Sequence, residues 1–334
     1  MKWALIGASD IASTRVIPAL RTAGQEVFGV MSANPDRAAS YAKENSIDRY
    51  TTDLQELLNW PVDAVYISTT NELHASQAIA AAKAHKHILC EKPIAMGIAD
   101  ANSMIHEAKA NAVILAANHH IRTSGVHQKI REIVASNRLG DIYLARINHA
   151  VALPERLMGW RLESGDKGAG VVLDIVVHNV DTLRAALGSE IIEVTALTAS
   201  NGLGKNGIED TANCVFRFAN GVIANTIECF LVPYSTSSFE IHGSKGSLVA
   251  TGVMTQDPTG EIVVTDAAGV HSIEVSDRDN LYVKTIKQFE RACRGEGTPL
   301  ATGSDGFASM QVALAVLQSA AEKRTVSLLE AGKE

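Results

Sequence analysis

Three side chains in this sequence have the types and settings needed to move a proton at a carbonyl. Lys92 follows the apolar run Ile88-Leu89-Cys90 and sits within Glu91-Lys92-Pro93, so an ammonium group closes what reads as a buried strand. Open α/β sheets take their ligands at the carboxyl ends of such strands. Asp174 and His178 stand four residues apart in Asp174-Ile175-Val176-Val177-His178, and on a helix that spacing aims both from one face. Imidazole ordinarily titrates near neutral pH, and an ammonium stabilises an oxygen that becomes an alkoxide. His178 is therefore read as the general acid, Lys92 as the group that holds and polarises the substrate oxygen, and Asp174 as orienting a hydroxyl or His178 itself. The roles of Lys92 and His178 are exchangeable. All three count as substrate-binding groups if the two segments meet.

Reducing a carbonyl also needs a hydride source, and the chain opens with a candidate place for one. Trp3-Ala4-Leu5-Ile6 runs into Gly7-Ala8-Ser9-Asp10-Ile11-Ala12 and then an apolar-periodic stretch, the strand, tight turn and helix of a dinucleotide-binding unit. The first glycine is present, Ser9 replaces the second and Ala12 the third. Small residues there let backbone amides and the helix start approach a pyrophosphate, and the Ser9 hydroxyl adds a donor. The next strand, 26–31, ends in Ser32-Ala33-Asn34 with no carboxylate for a ribose 2′-hydroxyl, and Arg37 follows. A hydroxyl and a guanidinium without an acid suit a 2′-phosphate, which favours NADPH over NADH. A further buried strand, 64–68, runs into Thr69-Thr70-Asn71-Glu72-Leu73-His74, whose small polar groups suit cofactor phosphates and ribose and serve equally as helix-start residues.

No metal is expected. His119 and His120 are adjacent and point apart if extended, and Asp174 with His178 lacks the further ligands zinc requires. His149, His242 and His271 carry no argument beyond ordinary core or surface use. Cys90, Cys214, Cys229 and Cys293 are scattered through apolar segments without metal-ligand spacing and read as thiols of a reducing compartment.

The elements that must position these groups follow from the bulk pattern. At 334 residues the chain exceeds one ordinary core, and 46% apolar with 20% charged residues exclude general disorder. A net charge of −7 without a basic stripe argues against nucleic acid and leaves a small soluble substrate. No apolar run approaches the ~20 residues that span a bilayer, and a cytoplasmic protein is expected. Strands and helices alternate over residues 1–120, which predicts a Rossmann-type, doubly wound parallel sheet. From residue 121 to 334 an α+β domain with a mostly antiparallel open sheet is expected. A hairpin at Ala219-Asn220-Gly221 joins 216–218 to 222–224, further strands lie at 238–242, 246–250, 261–264 and 271–275, and helices at 281–294 and 305–323 are free to fold back on the first domain. An open sheet needs a cover, and a second copy of the chain is one way to supply it.

With those residues in view, the sequence resembles the glucose–fructose oxidoreductase / inositol dehydrogenase (Gfo/Idh/MocA) family over nearly its whole length. The resemblance is carried by Glu91-Lys92-Pro93, the glycine-led first turn, and Gly168-Ala169-Gly170 followed by Asp174 and His178. It implies NADP(H)-dependent reduction of a sugar ketone, with cofactor contacts at Gly7, Ala8, Ser9, Asp10, Ile11, Ser32, Ala33, Arg37, Thr69, Thr70, Asn71, Glu72, His74, Glu91, Lys92, Asn118, Trp160, Arg161 and Tyr282. Arg161 would also meet the substrate. In such proteins the bond before the motif proline is often cis. Ser9 and Ala169 depart from the family's glycine pattern. Two alternatives stay open: an inositol-type polyol dehydrogenase working in the oxidative direction, and a non-catalytic NADP-binding sensor.

Overall fold

The computed structural model describes residues 1–329 and contains two compact units. One is Met1–His120 with Asn280–Ala308, and the other is Ile121–Asp279 with the described chain from Ser309 on. Residues 330–334 of the expected second domain lie outside the described residues.

The first unit is built on β1 (Lys2–Ile6), β2 (Glu26–Met31), β3 (Arg49–Thr51), β4 (Ala64–Ile67), β5 (His87–Cys90) and β6 (Leu115–Ala117). They form one parallel sheet in the order β3-β2-β1-β4-β5-β6. Trp3 through Ile6 and Ala64 through Ile67 are fully buried, as strands covered on both faces must be, which is why these segments are continuously apolar rather than alternating. The connecting helices are α1 (Ile17–Thr22), α2 (Pro35–Glu44), α3 (Leu54–Leu58), α4 (His74–Lys83) and α5 (Ile98–Ala110). A π-wound turn, Ala12–Val16, precedes α1. Pro18 accounts for it, because proline offers no N–H and its ring displaces the carbonyl one turn back. The late helix Leu281–Cys293 belongs to this unit, and its Leu281, Tyr282, Ile286 and Phe289 join Trp3 and Leu5 in one core, with the Phe289 and Trp3 rings 5.2 Å apart. The strand order reverses direction between β1 and β4, which opens a crevice at their carboxyl ends.

The second unit carries β7 (Ile142–Ala150), β8 (Ile191–Ala199), β9 (Thr211–Phe218), β10 (Ile223–Cys229), β11 (Ser238–Gly243), β12 (Gly246–Thr251), β13 (Glu261–Asp266), β14 (Gly269–Ile273) and β15 (Val326–Ser327). The nine-stranded order is β14-β13-β12-β11-β7-β10-β9-β8-β15, antiparallel at every pairing except β7 with β10. Its helices are α6 (Gly125–Ala135), α7 (Trp160–Glu163) and α8 (Val177–Leu187), and α8 is preceded by a second π-wound turn, Val172–Val176. The Leu281–Cys293 helix is α9, and α10 (Gly303–Glu322) follows it. Phe216 and Phe218 point to the buried face while Val215 and Arg217 point away, so one face is packed and the other alternates apolar with polar.

The hairpin lies where the sequence placed it, at Ala219-Asn220-Gly221, although Asn-Gly is typical of a two-residue turn. Gly221 is left-handed at φ +89° but Asn220 is not, and Phe218 N donates to Val222 O at 2.9 Å. A two-residue type I′ turn needs positive φ at both central residues. Here three residues, Ala219 to Gly221, make the connection and glycine forms the bulge. Two strands carry no expectation from sequence: β8, which pairs with the next strand β9, and the two-residue β15, whose partner β8 lies far away in the chain. No helix among the described residues is long and apolar enough to cross a membrane.

Candidate active site

The dinucleotide turn is braced from two sides. Gly7 is left-handed at φ +111°, and a Cβ there would come within 2.8 Å of the Ser68 backbone, so only glycine lets the ends of β1 and β4 close up. Ser9 has no such restriction. Its hydroxyl donates to Ser68 Oγ at 2.7 Å and accepts from Ala12 N at 3.2 Å, so serine at the second glycine position ties two strand ends together and caps the following turn. From α2, Arg37 donates through Nε and Nη2 to Ala8 O at 3.1 and 2.6 Å, and the Tyr41 hydroxyl donates to Ser9 O at 2.8 Å. Burial pushes the Tyr41 hydroxyl above its ordinary range, which keeps it a donor. Ser32 is half-buried at the end of β2 and Ala33 is exposed beside it, with Asn34 capping α2 by accepting from Arg37 N at 2.9 Å. Asp10 and Ile11 are half-buried on the turn itself.

The strands on the other side of the crevice end in an interlocked polar set. Glu91 Oε1 accepts from the Tyr66 hydroxyl at 2.5 Å and from Asn118 Nδ2 at 2.6 Å, so β4, β5 and the end of β6 converge on one carboxylate. Lys92 is half-buried, and the Lys92–Pro93 bond is cis, as the resemblance implied. His74, fully buried at the start of α4, reaches Pro93 O at 2.9 Å and Thr69 O at 3.3 Å. Burial lowers its pKa and favours the neutral ring, whose one N–H serves one of these two carbonyls and, on the shorter Pro93 contact, ties down the loop that carries Lys92. Thr69 donates to Gln77 Oε1 and Thr70 to Glu72 Oε1, at 2.7 and 2.8 Å, while Asn71 is buried. His120 stacks on Tyr282 with centroids 4.7 Å apart. Burial, reinforced by the Lys92 ammonium, drives the His120 pKa down to about 3. Asn118 Oδ1 is buried without a hydrogen-bond partner among the described residues. A close-approach glycine turn, an orphan acceptor and a strand-end ammonium fit a bound dinucleotide.

In the second unit, Asp174 is half-buried in the π-wound turn and His178 is buried in the first turn of α8. Arg161 Nε lies 3.7 Å from Asp174 Oδ1, an ion pair beyond hydrogen-bond range, and the Arg161 guanidinium lies 4.7 Å from the centre of the Trp160 ring. The structure thus groups Trp160, Arg161, Asp174 and His178 in the second unit, and the remaining candidates in the first. Gly168 and Gly170 have φ of +79° and +106°, whereas Ala169 is not left-handed. The departure from a glycine triplet falls on the one position of the three that tolerates a Cβ.

Two features escaped the sequence reading. Arg37 and Tyr41 are four residues apart on α2, and that spacing was a signal that both face the turn. His149, given no role from sequence, accepts a different place here. Its Nδ1 lies 2.9 Å from Asn179 Oδ1, and Asn179 Nδ2 donates to Glu228 Oε1 at 2.7 Å. Both Asn179 and Glu228 are fully buried, and burial pushes the Glu228 carboxyl up to about 7. No local pattern links these three residues, because they come from β7, α8 and β10.

Comparisons with known proteins agree with this architecture. Residues 1–119 match the family described as "Oxidoreductase family, NAD-binding Rossmann fold", and residues 127–249 match the GFO/IDH/MocA C-terminal domain. The chain is 45% identical over 321 residues to 1,5-anhydro-D-fructose reductase of Ensifer adhaerens, covering 96% of each. It is 29% identical to myo-inositol 2-dehydrogenase of Thermotoga maritima, covering 91% of each. Levoglucosan dehydrogenase, solved with NADH and levoglucosan, shares the fold with a TM-score of 0.88 at 22% identity, over 99% of this chain and 100% of that one. The protein belongs to the Gfo/Idh/MocA family of oxidoreductases.

Proposed function

We propose that this chain reduces the ketone of 1,5-anhydro-D-fructose to 1,5-anhydro-D-mannitol with NADPH. The reading is carried by its 45% identity to an anhydrofructose reductase over 96% of both chains. The preference for the phosphorylated cofactor is supported by the end of β2, where Ser32-Ala33-Asn34 offers no carboxylate and Arg37 follows on α2. When bound, the dihydronicotinamide supplies a hydride to the carbonyl carbon. His178 gives its proton to the carbonyl oxygen, so the ketone gains one hydride and one proton and becomes an alcohol. Lys92 holds that oxygen and stabilises its growing negative charge, its loop fixed by His74 through Pro93 O. Asp174, paired with Arg161, orients a sugar hydroxyl or His178. A second copy of the chain covering the open sheet face, where Leu144, Val215 and Leu197 are exposed, completes the reading.

A polyol dehydrogenase working in the oxidative direction is the second reading, favoured by the 29% identity to a myo-inositol dehydrogenase. The same residues would serve, with His178 accepting the proton. The test is loss of NADPH absorbance with 1,5-anhydro-D-fructose, run beside NADH and beside His178→Ala. Turnover with NADPH that falls ~100-fold or more in the variant supports both substrate and proton donor. Oxidation of inositol with no reduction of the ketosugar transfers the weight to the dehydrogenase, and tight NADPH binding with no turnover of either sinks both.

A further inference from the structure

The turn that presents Asp174 is held by a residue far away in the sequence. The first N–H groups of any helix have no partner within it and must find one outside. Here the chain 159–171 and the loop before β9 supply them. Gly170 N donates to Arg161 O at 3.0 Å, Val171 N donates to the backbone oxygen of Glu209 at 3.0 Å, and Val172 N donates to Glu209 Oε1 at 3.2 Å. One glutamate thus takes two successive N–H groups, through its main chain and its side chain. The same loop is stitched back by Lys205 N, which donates to Leu162 O at 2.7 Å.

Gly170 makes room for that carboxylate. A Cβ on Gly170 would stand 2.1 Å from Glu209 Oε1, 2.5 Å from its Cδ and 2.6 Å from Oε2. The atoms it would strike belong to the free end of a side chain, so a methyl group would evict the carboxylate, in addition to the strain that φ +106° imposes on any residue with a Cβ. Glycine at 170 and glutamate at 209 are two halves of one contact.

We propose that Glu209 is a positioning residue: by filling the space beside Gly170 and accepting from Val172 N, it sets the first turn of the helix that carries Asp174 and His178. The inference rests on the proposed roles of those two residues, but the contact itself can be tested apart from any substrate. Burial raises the Glu209 carboxyl above its ordinary range, while the backbone N–H groups it accepts from, Val172 N among them, act against that shift and make its placement directional. Removing it leaves the Val172 N–H without its acceptor and the turn free to rewind, moving Asp174 against Arg161.

The experiment is a double-mutant cycle of Gly170→Ala and Glu209→Ala with Glu209→Gln alongside, read by steady-state kinetics, NADPH binding and hydrogen exchange at the Val172 amide. Glu209→Ala is expected to lower kcat ~10-fold or more while NADPH affinity stays within about twofold, because a small displacement near the chemistry is enough. Glu209→Gln keeps an acceptor and restores most of the rate and of the exchange protection. Gly170→Ala reproduces the loss, and the double variant is no worse than Gly170→Ala alone, since the methyl has then nothing to evict. The backbone strain of alanine at φ +106° is present in both arms and cancels. Additive losses, or a Glu209→Ala chain with unchanged kcat and unchanged Val172 protection, overturn the proposal. If the parent protein turns over no sugar, the proposed function fails while the exchange and coupling arms still decide the role of Glu209.

Discussion

Arg37 reaches back over the dinucleotide turn to donate twice to Ala8 O, at 3.1 and 2.6 Å. The residue chosen from sequence to meet a 2′-phosphate therefore also braces the turn that would meet the pyrophosphate. Tyr41 does the same for Ser9 O at 2.8 Å, so the two ends of a dinucleotide site are joined through one face of α2.

That double duty separates the two cofactors. Arg37→Ala should weaken NADPH by ~10- to 100-fold, the worth of a lost charge-assisted pair of hydrogen bonds. NADH should lose only what the brace on Ala8 contributes. Arg37→Lys should fall between, keeping charge without the fork. The check is kcat/KM for both cofactors. Equal losses for NADPH and NADH would assign Arg37 to bracing alone and remove the support for NADPH.

A buried acid gives stability an unusual slope. Burial lifts the Glu228 carboxyl from 4.5 to about 7. Between those values the folded chain keeps a proton that the unfolded chain has released, so stability is highest below pH 4.5 on this account, falls as pH rises through the window, and stays low above 7. The shift corresponds to a penalty on the order of 3 kcal/mol. Glu228→Gln keeps the acceptor for Asn179 and cannot ionise. It should melt above the parent at pH ~8 and show no such gain at pH ~5; thermal midpoints across that range decide it, and a constant offset at all pH values would show that Glu228 does not titrate in the fold.

His127 acts in the opposite sense. It is buried against Phe239, its Nε2 lies 3.0 Å from Val253 O, and burial holds its pKa down to about 4. Unfolded, it titrates near 6.5. Its contribution is fully present above 6.5 and is lost as pH falls toward 4, because the unfolded chain takes up the proton first. His127→Gln should lower stability at neutral pH yet flatten the acid limb by about one proton. Urea unfolding at several pH values measures that slope, and an unchanged slope would exclude His127 from the acid limb.

The sequence was most informative where a single segment carries its own signal. Trp3 to Ile6 and Ala64 to Ile67 read as buried parallel strands because both faces are covered, and Glu91-Lys92-Pro93 stood out because charge interrupts such a run. The missing acid after β2 pointed to Arg37 for the same local reason. What stayed hidden depends on partners far along the chain. Nothing near Glu209 marks it as the acceptor for Val172 N, and His149 gains its setting only when β7 and β10 pair in parallel and bring it beside Glu228. The hairpin at Gly221 combines both kinds of signal: Asn-Gly marks the place of the turn locally, and the register of Phe218 with Val222 decides its type.

The glycine loop before Asp174 offers a direct test of position against composition. Gly168 ends its turn in the left-handed region at φ 79° and ψ 39°, whereas Ala169 does not have positive φ. A Cβ at 168 forces an L-residue into that region at roughly 1–2 kcal/mol. A glycine at 169 adds freedom to the unfolded chain, worth about 0.5–1 kcal/mol, and removes a buried methyl worth about 0.8 kcal/mol more. Gly168→Ala and Ala169→Gly should therefore both cost about 1–2 kcal/mol of stability, although the second variant restores the family's glycine triplet. Activity should fall with Gly168→Ala, because a shifted loop displaces the turn bearing Asp174. Denaturant midpoints and kcat for the two variants settle it, and a more active or more stable Ala169→Gly protein would mean that alanine at 169 constrains the loop rather than fitting it.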